Sequence, residues 1–228
     1  MINSNHVLCF GDSITRGIPG VSYLNYLDLS LYLNYGKGGD TLTIMTRRLS
    51  KLDLSSLKLH FIIEIGTNDI LLPYLVQTSS SWKKRINLTH YAPIGEVSLF
   101  KKQYNQLLNH LKGHHVTIIN IPCIGESLAS TLNQKVDTYN QIIASCCKQH
   151  DIPIIDFNSW QKQHLSLFSP SYFMTKHPID VMIDTMLTTY GGQSQAISKK
   201  RNLNVTIDGV HLNEFAAKQL AKMISQQR

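Results

Sequence analysis

The sequence predicts an α/β fold built on a parallel sheet. Apolar runs bounded by turn residues alternate with longer segments of helical period, as strand–helix–strand units require. A length of 228 residues suits one such arrangement around one core, so residues 1–228 are expected to form a single domain.

Taken in chain order, the runs 7–10, 29–33, 59–65, 115–121 and 153–157 are the expected strands, and five fit a small open sheet. Between them Val97, Phe100, Tyr104, Leu107, Leu108 and Leu111 recur at three- and four-residue steps, as one buried helix face requires. Leu128, Leu132, Val136, Tyr139, Ile143 and Cys146 repeat the pattern, and so do Leu212, Phe215, Ala216, Leu220 and Met223. Two connections, about 70–94 and 158–206, far exceed the usual few residues. Both begin at carboxyl ends of expected strands, where open parallel sheets hold their ligands, and both are candidate walls of a substrate site.

Hydrophobic residues at 43% and charged residues at 16% describe a globular chain. Met1 to His6 is polar, without a basic segment leading into an apolar one, and no run approaches the ~18 apolar residues that cross a bilayer. The expectation is a cytoplasmic protein with no transmembrane segment. Cys9, Cys123, Cys146 and Cys147 match neither zinc nor redox spacing and read as core thiols. The formal charge of +7 is carried partly by short clusters at Arg47-Arg48, Lys83-Lys84-Arg85 and Lys199-Lys200-Arg201. They are poor in aromatics and accompany no nucleic-acid motif, so they read as solvated faces. No nucleic-acid partner is expected, and a weak contact with an anionic membrane surface stays open.

Four segments carry chemistry. Phe10-Gly11-Asp12-Ser13 ends the first strand in a glycine turn that presents a serine at the start of a helix. The positive end of the helix suits a nucleophile there, although serine is equally at home as a helix N-cap. Asp208-Gly209-Val210-His211 places a carboxylate and an imidazole three positions apart, close enough to pair across one turn; Asp-Gly is also a common turn. Asn34 through Thr41, containing Gly39, and Gly66-Thr67-Asn68-Asp69 follow the second and third expected strands. A glycine N–H and an asparagine side chain at strand ends can line an oxyanion hole, and either segment can equally be an ordinary turn.

In this order the four segments resemble the sequence blocks of the SGNH, or GDSL-type, hydrolase family. Gly11-Asp12-Ser13 is similar to the first block, Asn34 to Thr41 to the second, Gly66 to Asp69 to the third and Asp208-x-x-His211 to the last. The resemblance implies a flavodoxin-like three-layer α/β/α fold with a five-stranded parallel sheet. It implies Ser13 as nucleophile, His211 as base, Asp208 as its partner, and Ser13, Gly39 and Asn68 as oxyanion donors. It further implies a small-molecule carboxylic ester as substrate, a short acyl or acetyl ester or a lysophospholipid, with no metal and no cofactor. Acyl transfer through the same residues, or a silent binding protein of the same fold, are the alternatives.

Three features stand outside this pattern. Glu64 lies within an otherwise apolar strand, where a carboxylate must find a partner or shift its pKa. Ser127, in Gly125-Glu126-Ser127-Leu128-Ala129, mimics a nucleophile elbow but lacks its final glycine, and an N-cap role is expected for it. Residues 158–206 are too apolar for a solvated loop, carrying Leu165, Phe168 and Phe173 and then Val181, Met182, Ile183, Met186 and Leu187. They are expected either to pack as an added helix or to cover the site, with Lys199-Lys200-Arg201 near its mouth.

Overall fold

A computed structural model describes residues 3–53, 58–89, 91–169, 172–174 and 177–227. Residue 90 of the 70–94 connection and residues 170, 171, 175 and 176 of the 158–206 connection lie outside the described residues. The chain runs β1 (Val7–Gly11), α1 (Ser13–Arg16), a 3-10 turn (Tyr23–Tyr26), β2 (Tyr32–Gly36), α2 (Leu42–Leu49), β3 (His60–Glu64), α3 (Thr67–Thr78), α4 (Ser80–Thr89) and α5 (Val97–His110). It continues through β4 (His115–Ile119), α6 (Thr131–Gln149), β5 (Ile154–Ile155), α7 (Phe157–Lys162), α8 (Pro178–Asp184), a π-helical turn (Thr185–Tyr190), α9 (Ser194–Lys200) and α10 (Glu214–Ser225).

The five strands form one parallel sheet in the order β2-β1-β3-β4-β5. Alternate residues of each strand face opposite layers. Leu8, Phe10, Phe61, Ile63 and Ile118 pack with α2 to α6, while Val7, Cys9, Ile62 and Ile119 pack with α1, α7 and α10. Helices therefore cover both sides of the sheet, the three-layer arrangement expected. Chain order reverses direction between β1 and β3, and a crevice opens at that switch point beyond the carboxyl ends of the strands.

Several boundaries differ from the sequence expectation. The second strand is Tyr32–Gly36, not 29–33, because Asp28 folds residues 28–31 into a turn: its side chain accepts from Ser30 N at 2.9 Å and its carbonyl from Leu31 N at 2.9 Å. Asn34 thus lies inside β2. The fifth strand shrinks to two residues because Asp156 caps α7, accepting from Ser159 N at 3.1 Å. The helix faces stand, with corrections at their edges. Val97 and Phe215 are exposed, Leu128 precedes α6, whose N-cap is Ser130, and Leu212 precedes α10, whose N-cap is Asn213. Phe215 still finds an apolar partner, its ring 5.4 Å from that of Trp160. All four cysteines are free and buried, as expected of core thiols.

Candidate active site

The end of β1 determines where Ser13 stands. Gly11 leaves the strand so close to its neighbours that a Cβ there would lie 2.1 Å from Thr15 Oγ1 and 2.6 Å from the Glu64 carbonyl oxygen. Asp12 then caps the short helix α1, its Oδ1 accepting from Ile14 N at 2.8 Å. Ser13 is consequently the first helical residue and not the N-cap. Its hydroxyl is free to point away from the helix.

His211 Nε2 lies 2.9 Å from Ser13 Oγ, and its Nδ1 lies 2.7 Å from Asp208 Oδ2. Asp208 Oδ1 accepts from Val210 N at 3.0 Å and His211 N at 2.8 Å, so the turn 208–211 holds carboxylate and imidazole in one orientation. Burial alone would raise Asp208, but His211 and the two backbone N–H groups outweigh it and hold its carboxyl below the ordinary range. For His211 burial works downward, and Asp208 more than offsets it by charge and hydrogen bond, so the imidazole is raised above its usual value.

This turn rests on a residue whose role no sequence pattern indicated. Glu126 is buried, and its Oε1 accepts from Val205 N at 2.9 Å, Thr206 N at 2.9 Å and Thr206 Oγ1 at 2.7 Å. Its Oε2 takes Asn204 N at 2.6 Å. One carboxylate thereby fixes the strand of chain that enters Asp208. The adjacent Ser127 is not an N-cap; its hydroxyl donates to the Leu167 carbonyl at 3.1 Å, which ties it to the 158–206 connection.

Gly39 and Asn68 open onto the same cavity as Ser13 and His211, about 250 Å³ in volume. Gly39 has φ +79°, and a Cβ there would meet the Tyr91 ring at 2.4 Å, so the position excludes any side chain. Asn68 Nδ2 donates to the Asp40 carbonyl at 3.0 Å and to Asp12 Oδ2 at 3.3 Å. Asp69 ties the surrounding loops together, Oδ2 accepting from Leu42 N at 2.9 Å and Oδ1 from Ile94 N at 2.8 Å. Behind Ser13, Glu64 is fully buried; burial first, then the neighbouring Asp12, push it well above the carboxylate range. Thr67 Oγ1 donates to it at 3.3 Å. Asp12 itself is raised by burial to about 6, against the opposing pull of Ile14 N–H and His211.

Both long connections reach the cavity. The first contributes Leu71, Leu72, Leu75, Trp82, Arg85 and Tyr91, and the second Met174, Val181, Met182 and Thr185. The second differs from expectation in its charges. Lys199, Lys200 and Arg201 do not line this cavity, and Arg201 is occupied by a two-pronged bond to Asp184 at 2.7 and 2.8 Å and by the Tyr172 ring. The cations that do reach it are Arg16, one turn beyond Ser13, and Arg85. Arg48, from another basic pair, is likewise structural, bonding Asp40 at 2.7 Å and the Tyr35 carbonyl at 2.9 Å. Those two clusters are partly tied down, where solvated faces were expected. Among the described residues no cluster of metal-ligating side chains is found, and no helix is long and apolar enough to cross a membrane.

Comparison with solved structures finds the same fold at low identity. A member of the lipolytic G-D-S-L family from Veillonella parvula aligns at 19% identity with a TM-score of 0.60, covering 97% of this chain and 96% of that one. A lipase/acylhydrolase from Enterococcus faecalis aligns at 18% and 0.60, covering 98% and 94%. The acetylxylan esterase Axe2 from Geobacillus stearothermophilus aligns at 14% and 0.61, covering 99% and 95%. No curated protein matches the sequence. The sequence model of the GDSL-like lipase/acylhydrolase family, however, matches residues 9–178, which take in the Ser13 turn, the Gly39 loop and the Asn68 loop. With most of its length matched and those loops gathered at one sheet end, the chain belongs to the GDSL-like lipase/acylhydrolase family, whose members are hydrolases of ester bonds.

Proposed function

We propose that this hydrolase cleaves a carboxylic ester through an acyl-enzyme on Ser13. The observation that carries the reading is the unbroken hydrogen-bonded chain from Ser13 Oγ through His211 to Asp208, opening into a cavity beside Gly39 and Asn68. His211 Nε2 takes the hydroxyl proton as Ser13 Oγ bonds to the ester carbonyl carbon, and Asp208 stabilises the imidazolium. The oxyanion draws on the backbone N–H groups of Ser13 and Gly39 and on the Asn68 amide. Both Asn68 hydrogens are engaged in the resting site, and the longer bond, to Asp12 at 3.3 Å, is the one an oxyanion would replace. His211 then returns the proton to the leaving alcohol oxygen as the C–O bond breaks. A water molecule, deprotonated by the same imidazole, releases the acid and restores Ser13.

The acyl group would lie against Leu71, Leu72, Leu75 and Trp82, and the basic lining at Arg16 and Arg85 favours an ester bearing a negative charge. The experiment is hydrolysis of a short p-nitrophenyl ester by the wild type, Ser13→Ala and Ser127→Ala. Turnover is expected in the wild type and Ser127→Ala and lost in a folded Ser13→Ala. Retained turnover in Ser13→Ala would exclude the assignment, and a wild type inert toward every ester tried would leave a binding protein of the same fold.

A further inference from the structure

The segment 178–190 is an amphipathic helix turned inside out. Ile179, Met182, Ile183, Met186, Leu187 and Tyr190 recur at three- and four-residue steps, and all are exposed, Met186 and Tyr190 by 69% and 76%. The residues between them hold the segment to the protein: Val181 packs on the core, and the others that make contact are polar. Asp184 is buried in its ion pair with Arg201. Thr188 Oγ1 accepts from Gly20 N at 3.0 Å, and Thr189 Oγ1 donates to the carbonyls of Gly17 and Gly20 at 3.3 and 3.2 Å. A stripe of this pattern normally faces a core. Here it faces outward, and a contiguous exposed apolar face of this kind marks an interaction surface.

The neighbours say what kind. α4 packs beside α8 and carries Lys83, Lys84 and Arg85, all exposed, together with Leu88 at 71% exposure. Further along the segment α9, in contact with the π-helical turn, carries exposed Lys199 and Lys200. An apolar stripe with basic margins beside both its halves is the composition of a helix that lies in a lipid interface. A second copy of the chain suits it less well, because a two-fold pairing would set basic margins against each other. The face is also continuous with the cavity, since Val181, Met182 and Thr185 line it together with Ser13.

We infer that residues 178–190, with the lysines of the adjoining α4 and α9, dock the protein onto an anionic lipid surface with the cavity mouth beside it. Docking needs no hydrolysis, so it stands or falls separately from the reading of Ser13. The test is sedimentation of the full chain with vesicles of phosphatidylcholine alone or mixed with phosphatidylserine. The wild type and Ser13→Ala should bind the mixed vesicles alike, with affinity falling as salt rises. Replacing Ile183 and Met186 together by Gln should weaken binding about tenfold or more. Lys83→Gln and Lys84→Gln should each cost roughly fivefold. All four substitutions lie outside the cavity lining, so turnover of a soluble ester should be unchanged and reports that each variant is folded. The inference is overturned if the wild type ignores both vesicles, if it binds the two alike, or if the Gln variants bind as the wild type does. It is equally overturned if the wild type is a dimer that the Ile183 and Met186 substitutions dissociate, for then a second copy covers the face.

Discussion

His211 sits where two large effects oppose each other, and their balance sets the pH at which the proposed base works. Burial favours the neutral ring, Asp208 favours the charged one, and Asp208 wins, raising the imidazole above its ordinary value of about 6.5. Since only the neutral ring can take a proton from Ser13, kcat/KM should rise with pH through a midpoint above about 6.5. Asp208→Asn removes the largest upward influence and leaves the burial, with only the weaker pulls of Asp12 and Asp184 opposing it, so any residual activity should show its acid limb displaced to lower pH. A limb that stays in place in that variant would mean that another group governs it. The sequence made Ser13, Gly39, Asn68, Asp208 and His211 visible because each sits in a short ordered pattern. It gave Arg16, Trp82 and Tyr91 no individual signal and showed Arg85 only as part of a basic cluster read as a solvated face, since a side chain that reaches a cavity from a helix or loop has no local signature.

At the scale of elements, the legible part is what periodicity can carry. The buried faces of α5 and α6 stand in the sequence as three- and four-residue steps, and the strands as apolar runs. Periodicity fails where a side chain redirects the backbone, as Asp28 does in displacing β2 and Asp156 in cutting β5 short. It also gives no direction, so the stripe in 178–190 reads as core-facing until Asp184, Thr188 and Thr189 are seen to supply the contacts. Glu126 shows a third kind of blindness. Its partners Asn204, Val205 and Thr206 lie some eighty positions away, and nothing in Gly125-Glu126-Ser127 points to them. Its two oxygens accept four hydrogen bonds, so Glu126→Gln would present an amide N–H to the Asn204 N–H and leave a buried donor unpaired. The expected cost is about 1–3 kcal/mol of stability, with a fall in kcat as the 204–211 segment loosens. Thermal unfolding and ester kinetics on one sample check both; a lowered melting temperature with unchanged kcat would confine Glu126 to the fold.

For the whole molecule, sheet order explains why residues as distant as 13 and 211 meet. The β2-β1-β3-β4-β5 order reverses at β1 and β3, so the loops after both strands flank one crevice, and the loop after β2 closes it from the side. The chain between Thr206 and Leu212, which pair across a short bridge, folds its turn back over that crevice. Strand count and the parallel α/β class were legible because they follow from alternation along the chain; the three-layer arrangement and the meeting of four loops at one cavity were legible only through the resemblance of the blocks. The central claim is that Ser13 is the nucleophile. Its most direct test is the intact mass, and then the peptide map, of the folded protein after exposure to a serine-directed phosphonate. One covalent adduct located on Ser13, and none in Ser13→Ala, is the expected result; an adduct on Ser127, or one that survives in Ser13→Ala, would contradict it.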